Sequence, residues 1–172
     1  MYTGLGSKTS KDLIRKFNNL IIIGSLSKNI GLPALRVGFM ISSKSMIKLM
    51  ESFRLAIELP FHTIKIMSYF LKQKKKILRI KANIISARKF AHREFKKRDI
   101  LAFGKFGNSV TFKVKDKLIA KKIGNFMKKN KIIINYSYPK PFENFLNITT
   151  ANTDNLKFFF LKLDKLFRII KK

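Results

Sequence analysis

Leu20 to Phe39 reads LIIIGSLSKNIGLPALRVGF, and the order of residue types in this stretch decides the fold. Leu20 to Ile23 is a short aliphatic run bounded by Asn18-Asn19 and Gly24, which predicts a buried strand. A Ser-, Gly- and Pro-containing segment from Ser25 to Leu35 follows, and Val37 to Ile41 predicts a second strand. Between them sits Lys28, with hydroxyls at Ser27 and Ser25 and a guanidinium at Arg36. An irregular turn that leaves a buried strand carrying an amine, two hydroxyls and an arginine is the arrangement of an α/β sheet with its functional groups at strand ends.

Outward from this stretch, Asp12 to Phe17 predicts a short amphipathic helix with Ser10 as its cap. On the other side, Ser43 or Ser45 caps a helix from about Met46 to Ile57, with Met46, Leu49, Met50 and Phe53 at helical spacing, and Pro60 closes the unit. From Phe61 to Arg98 breakers are few, and the pattern fits two helices divided near Lys72 to Lys76. Ser109 to Val114 alternates Val110, Phe112 and Val114 inward as a half-buried strand. Asp116 caps a helix to about Asn130, Ile132 to Ile134 is a further strand, and Phe145 to Thr149 is the last one. Thr153 caps a final helix with Leu156, Phe159, Phe160, Leu163, Leu166, Phe167 and Ile170 on one face. The expectation is an α/β portion over residues 1–57, followed over 58–172 by long linking helices and a small α+β domain.

Composition bounds the rest. A chain of 172 residues, 46% hydrophobic, can close a core of its own. No apolar run approaches the ~18 residues that cross a bilayer, and MYTGLGSKTSKD lacks the apolar centre of a secretory signal, so the expectation is a soluble, cytoplasmic chain. Without cysteine there is no thiolate metal site or disulfide framework, and His62 and His92, both in helical stretches, are too few for zinc without carboxylates. The net charge of +29 points towards a polyanion partner, and a small basic nucleic-acid-binding protein without cofactor is the rival reading. A blander cause competes. Lys, Ile, Phe and Asn make up 82 of the 172 residues, the skew of an AT-rich gene, and Lys outnumbers Arg nearly fourfold where nucleic-acid contacts favour Arg.

With its flanks, Ser25-Leu26-Ser27-Lys28-Asn29-Ile30-Gly31-Leu32, leading into Leu35-Arg36-Val37-Gly38-Phe39, resembles the cofactor-lysine segment of the fold-type I pyridoxal-phosphate enzymes. Within them it is most similar to the histidinol-phosphate aminotransferase branch of the class I/II aminotransferases. The residue types make chemical sense. A primary amine condenses with the pyridoxal aldehyde, while a planar guanidinium and short hydroxyls neutralise and hold a phosphate dianion. The resemblance implies Lys28 as the catalytic, proton-shuttling residue and Ser25, Ser27 and Arg36 as the phosphate holders. Tyr2, 26 residues before Lys28, matches the tyrosine that bonds the cofactor's ring oxygen. Gly107 to Phe112 resembles a small-domain strand, and Phe145-Leu146-Asn147-Ile148-Thr149 a Leu-Arg-Ile-Thr segment.

The resemblance implies the C-terminal part of a large domain followed by a small α+β domain, pyridoxal 5'-phosphate as cofactor, an amino-acid or amine substrate and a homodimer in the complete enzyme. Two departures stand out. Such enzymes are roughly twice this long, and the part that precedes Tyr2 in them carries the aspartate that fixes the ring nitrogen. Asn147 stands where the family places the arginine that clamps the substrate carboxylate, so this substrate-binding position offers an amide in place of a charge. A decarboxylase of the same fold is the alternative reaction. The local alternatives are a surface turn for Lys28, capping for Ser25 and Ser27, and a carboxylate partner for Arg36.

Overall fold

The computed structural model describes residues 10–29, 31–54, 59–150 and 152–170. The chain divides into two compact units, Met1–Ala82 and Asn83–Lys172.

The first unit is built around a two-stranded antiparallel ribbon. β1 (Ile22–Ser25) pairs with β2 (Gly38–Ile41) in the register Ile22 to Ile41 and Ser25 to Gly38. β1 therefore starts two residues later than the aliphatic run suggests, and Leu20 and Ile21 lead into it half-buried. Two serines fix that lead-in: Ser42 Oγ donates to the Leu20 carbonyl and Ser43 Oγ to that of Asn18 at 2.8 Å. Between the strands lies a single short turn of helix, α1 (Leu26–Asn29). Ser43 also caps α2 (Lys44–Glu51), its Oγ accepting from the Met46 amide at 3.4 Å. That helix ends earlier than expected, with Ser52 Oγ donating to the Leu49 carbonyl at 2.7 Å. The segment expected as a helix at 12–17 is a 3-10 turn, Lys11–Arg15, and Ser10 precedes it without a side-chain capping bond. α3 (Phe61–Lys72) follows Pro60, and Gln73, with φ −83° and ψ 55°, separates it from α4 (Lys74–Lys96). The expected break between two long helices is thus a single non-helical residue.

The second unit is a three-stranded antiparallel sheet packed on helices. Its strand order is β3 (Ala102–Phe103), β4 (Ser109–Lys113), β5 (Phe145–Thr149). On β4 and β5 the alternate residues Val110, Phe112, Leu146 and Ile148 turn into the core, as period-2 patterning requires. α4 supplies Ala87, Ala91 and Phe95 to the same core. α5 (Lys117–Lys129) adds Ala120, Ile123 and Met127, and α6 (Thr153–Ile170) adds Leu156, Phe159, Phe160, Leu163 and Leu166. Phe95 stacks on Phe112 at 4.6 Å between centroids and meets Phe160 edge-on at 4.9 Å, so one aromatic cluster ties α4, β4 and α6 together.

A half-buried ion cluster reinforces this core. Arg98 donates through Nε and Nη2 to both oxygens of Asp164, each at 2.7 Å, and through Nη1 to the Glu94 carboxylate. Its guanidinium also lies 4.8 Å from the centroid of the Phe160 ring. The Arg98 bonds hold Asp164 below the ordinary carboxylate range, and Glu94 is lowered by its bonds to Lys97 and then Arg98.

Two expectations need correction, and one strand, β3, was not expected. Ile132 to Ile134 is not a strand: Ile133 is 92% exposed, Ile134 is buried, and the chain touches the sheet only at the isolated bridge Asn135 to Asn147. Lys131, at φ 60°, turns the chain out of α5 and leaves too short a stretch to pair. β3 carries no alternation long enough to announce it. The α6 cap is Asn152, whose Oδ1 accepts from the Asp154 amide at 2.7 Å, one residue before the expected Thr153. His92 lies on α4 as expected, half-buried, and its ring meets the Gly104 carbonyl at 3.2 Å, which ties it to the β3–β4 loop.

Candidate active site

The ribbon's geometry brings most of the sequence-predicted site residues to one end of it. Ser25 is the last residue of β1 and lies opposite Gly38, the first of β2. One further bond, Leu26 N–H to the Val37 carbonyl at 3.2 Å, extends the pairing past Ser25. Val37 is buried and anchors this closure. The loop between the strands therefore starts with Ser27 and Lys28 and returns through Arg36, so all four polar groups lie within twelve residues of a loop closed by the Leu26–Val37 bond.

Local backbone chemistry explains how the loop closes. Ser25 Oγ accepts from the Ser27 amide at 3.2 Å and so begins α1. Gly31 takes φ 72°, a conformation that side chains disfavour. Pro33 opens a 3-10 turn (Pro33–Leu35) with its ring-set φ, and Arg36 N–H bonds the Pro33 carbonyl at 3.4 Å. Arg36 itself sits in the left-handed region, φ 54° and ψ 33°. For a residue with a long side chain this costs about 1 kcal/mol. Asp99, Lys131 and Ser137 also take a positive φ elsewhere in the chain. Inside the ribbon, Gly24 lies under the Phe39 ring, and a Cβ there would collide with the ring carbons. Gly24 is thus required by the close approach of Phe39, a demand invisible without the register.

Lys28 and Arg36 are exposed, while Ser25 and Ser27 are half-buried. Among the described residues no carboxylate pairs with the Lys28 amine or the Arg36 guanidinium. The capping role of Ser25 is real, since its oxygen accepts from Ser27; its hydroxyl proton remains able to donate. An amine, a guanidinium and two hydroxyls on one loop are donors of the chemical types that a small molecule bearing a carbonyl and a phosphate requires. Tyr2 lies outside the described residues.

Asn147 belongs to the second unit. It lies on β5 opposite Thr111, and its backbone N–H and carbonyl both bond Asn135, at 2.8 and 3.0 Å. Its backbone groups thus turn away from β4, which makes Thr111 and Asn147 a close side-chain pair. The Asn147 Nδ2 donates to Thr111 Oγ1 at 2.8 Å. Sequence reasoning did not single out Thr111, and only the strand register reveals this partner.

The chain belongs to the class I and II aminotransferases, whose family profile matches residues 1–157. Within that class it is similar to the histidinol-phosphate aminotransferase of Clostridium botulinum (strain Okra), 25% identical over 181 residues that cover 99% of this chain and 48% of the relative. Its fold is that of the histidinol-phosphate aminotransferase of Sinorhizobium meliloti solved in complex with pyridoxal-5'-phosphate, with a TM-score of 0.80 at 18% identity over 91% of this chain and 44% of that one. The L-threonine-O-3-phosphate decarboxylase of Porphyromonas gingivalis is also similar, with a TM-score of 0.75 at 16% identity over 97% of this chain and 53% of that one. The chain spans about half the length of each of these relatives. No described helix is long and apolar enough to cross a membrane.

Proposed function

We propose that this chain is the lysine-bearing half of a pyridoxal-phosphate-dependent aminotransferase of the histidinol-phosphate type. In this reading it moves an amino group between an amino acid or amine and a 2-oxo acid. The observation that carries the reading is the loop 25–36, which gathers Lys28, Arg36, Ser25 and Ser27 at one end of the ribbon in a chain of this family. When bound, pyridoxal phosphate supplies the electron-withdrawing ring that makes the substrate's Cα proton removable. Lys28 Nζ would hold the cofactor through its aldehyde carbon and, once released from it by the incoming substrate amine, would move the proton at the substrate carbon. Arg36 meets the phosphate as a planar fork, and the Ser25 and Ser27 hydroxyls add short donors. Tyr2 would donate to the ring oxygen, as the resemblance implies.

Asn147 orients the substrate through amide hydrogen bonds, without the charge of a guanidinium. Residues 1–57 form the end of the large domain and 58–172 the small one, in a cytoplasmic enzyme that acts as a homodimer. Decarboxylation is the second reading, favoured by the likeness to the Porphyromonas decarboxylase. The two reactions differ in which bond to the substrate's Cα breaks, and the loop 25–36 serves either.

The test is spectroscopic. Purified chain mixed with pyridoxal phosphate is expected to develop absorbance at the visible edge, and Lys28→Ala to abolish it while leaving thermal unfolding unchanged, because Lys28 is exposed. Identical spectra from the two proteins overturn the cofactor reading. RNA binding that weakens steeply with added salt, alongside identical spectra, would point to the basic binding protein instead.

A further inference from the structure

α6 has two faces, and the core of the second unit uses one of them. Leu156, Phe159, Phe160, Leu163 and Leu166 are buried in that core, which fixes the rotation of the helix about its axis. The opposite face carries apolar side chains that the core does not take. Leu161 is 65% exposed, Ile169 56% and Phe158 46%, and their helical spacing puts them on one side of α6. Lys165, four residues after Leu161 and four before Ile169, stands between them, with Lys162 and Arg168 on either flank. The Lys162 ammonium lies 5.1 Å from the centroid of the Phe158 ring, at the rim of the apolar stripe. The acids of this helix are already engaged: Asp154 bonds Lys157 at 3.0 Å and Asp164 bonds Arg98. The base-composition skew accounts for how many lysines the chain has, whereas the burial of the opposite face decides where these ones stand.

We propose that this face of α6 lies on an anionic lipid bilayer, with Phe158, Leu161 and Ile169 at the boundary of headgroups and acyl chains and Lys162, Lys165 and Arg168 at the lipid phosphates. A helix with large apolar side chains on its exposed face and cations around them is held at such a surface by buried apolar area and by attraction to anionic headgroups together. Charge complementarity extends to the whole chain, at +29. Nucleic acid is the weaker occupant: its phosphates would engage the cations, but they give the aliphatic Leu161 and Ile169 nothing to bury against. The contact is peripheral, consistent with a chain in which no described helix is long and apolar enough to cross a membrane. It goes beyond amino-group transfer and does not depend on cofactor binding at Lys28.

Tryptophan fluorescence on vesicles tests it, because the chain has no tryptophan of its own. Leu161→Trp places a reporter on the proposed face. Phe103→Trp places a control on the sheet face turned away from α6, since Phe103 pairs with Thr111, which alternates with the core-facing Val110 and Phe112. With vesicles of phosphatidylcholine and phosphatidylglycerol, the reporter at 161 is expected to shift to the blue and to lose at least half its emission when the acyl chains are brominated, and the control at 103 to do neither. Vesicles of phosphatidylcholine alone are expected to bind at least tenfold more weakly. Ile169→Ser and, separately, Phe158→Ser in the Leu161→Trp chain leave the net charge unchanged and are each expected to lower vesicle affinity at least fivefold. No quenching at 161, equal quenching at 161 and 103, equal binding to the two kinds of vesicle, or affinity unmoved by both serine variants overturns the proposal, the last because it would mean adhesion by charge alone. Because no arm uses pyridoxal phosphate, the outcome is independent of the Lys28 spectrum.

Discussion

The second unit closes its core and the first does not. In the second unit Phe95, Phe112, Ile123, Met127, Leu146 and Leu163 are fully buried, whereas among the described residues of the first unit Val37 is the one buried hydrophobic side chain. The first unit does not lack apolar side chains, since Ile23, Phe39, Met40, Ile41, Leu49 and Phe53 are all exposed. The lesson is that the second unit buries its apolar side chains against one another, whereas the described apolar side chains of the first unit stay largely open to solvent. Stability and the proposed chemistry are thus carried by different parts of the chain: the residues that hold the fold together lie in one unit, and Lys28 and its neighbours lie in the other.

The hardest test of this contrast is Phe112→Ala. Phe112 stacks on Phe95 and meets Phe159 edge-on, with no exposed surface, so truncation leaves a cavity between β4, α4 and α6. Denaturant unfolding is expected to show a loss of about 3–5 kcal/mol. A loss below about 1 kcal/mol would mean that the core relaxes freely and that the second unit is no better closed than the first.

A smaller effect is expected at Asp116, whose Oδ1 accepts from the Ile119 amide at 2.9 Å at the start of α5. Asp116→Ala should cost about 1 kcal/mol of stability in the same unfolding measurement, and Asp116→Asn much less, because the amide oxygen can still accept. Equal losses from the two variants would mean that the carboxylate's charge matters more than its hydrogen bond.

These two sites also mark how far the sequence could be read. Asp116 was legible because a capping residue and the helical period that follows it are adjacent in the chain. β5 was legible to the residue because Phe145 to Thr149 alternates cleanly. The reading failed where short apolar runs lacked a second signal. Ile132 to Ile134 is as β-branched as any strand, yet Ile133 faces solvent and only Asn135 reaches the sheet. The Lys28 loop was legible because its four polar groups lie within twelve residues. The Asn147–Thr111 bond was not, because it joins residues 36 apart that meet only through the β4–β5 register. The demand for glycine at position 24 was hidden for the same reason, since it depends on the pairing of Gly24 with Phe39.

The smallest expected effect is the one that sharpens the comparison most. Ile23 sits in the middle of β1 and is three-quarters exposed, so Ile23→Lys removes little buried apolar area from the chain by itself. A lysine in a ribbon loses some β-propensity and gains solvation, which places the change in unfolding free energy within about 0.5 kcal/mol. In a strand whose both faces were already covered, the same substitution would bury an unpaired ammonium and cost several times more. The chain alone is therefore expected to unfold like wild type and to stay soluble at higher concentration, because the variant interrupts the apolar patch. A loss above about 2 kcal/mol in the isolated chain would show Ile23 already packed, and the asymmetry between the two units would then be one of composition alone.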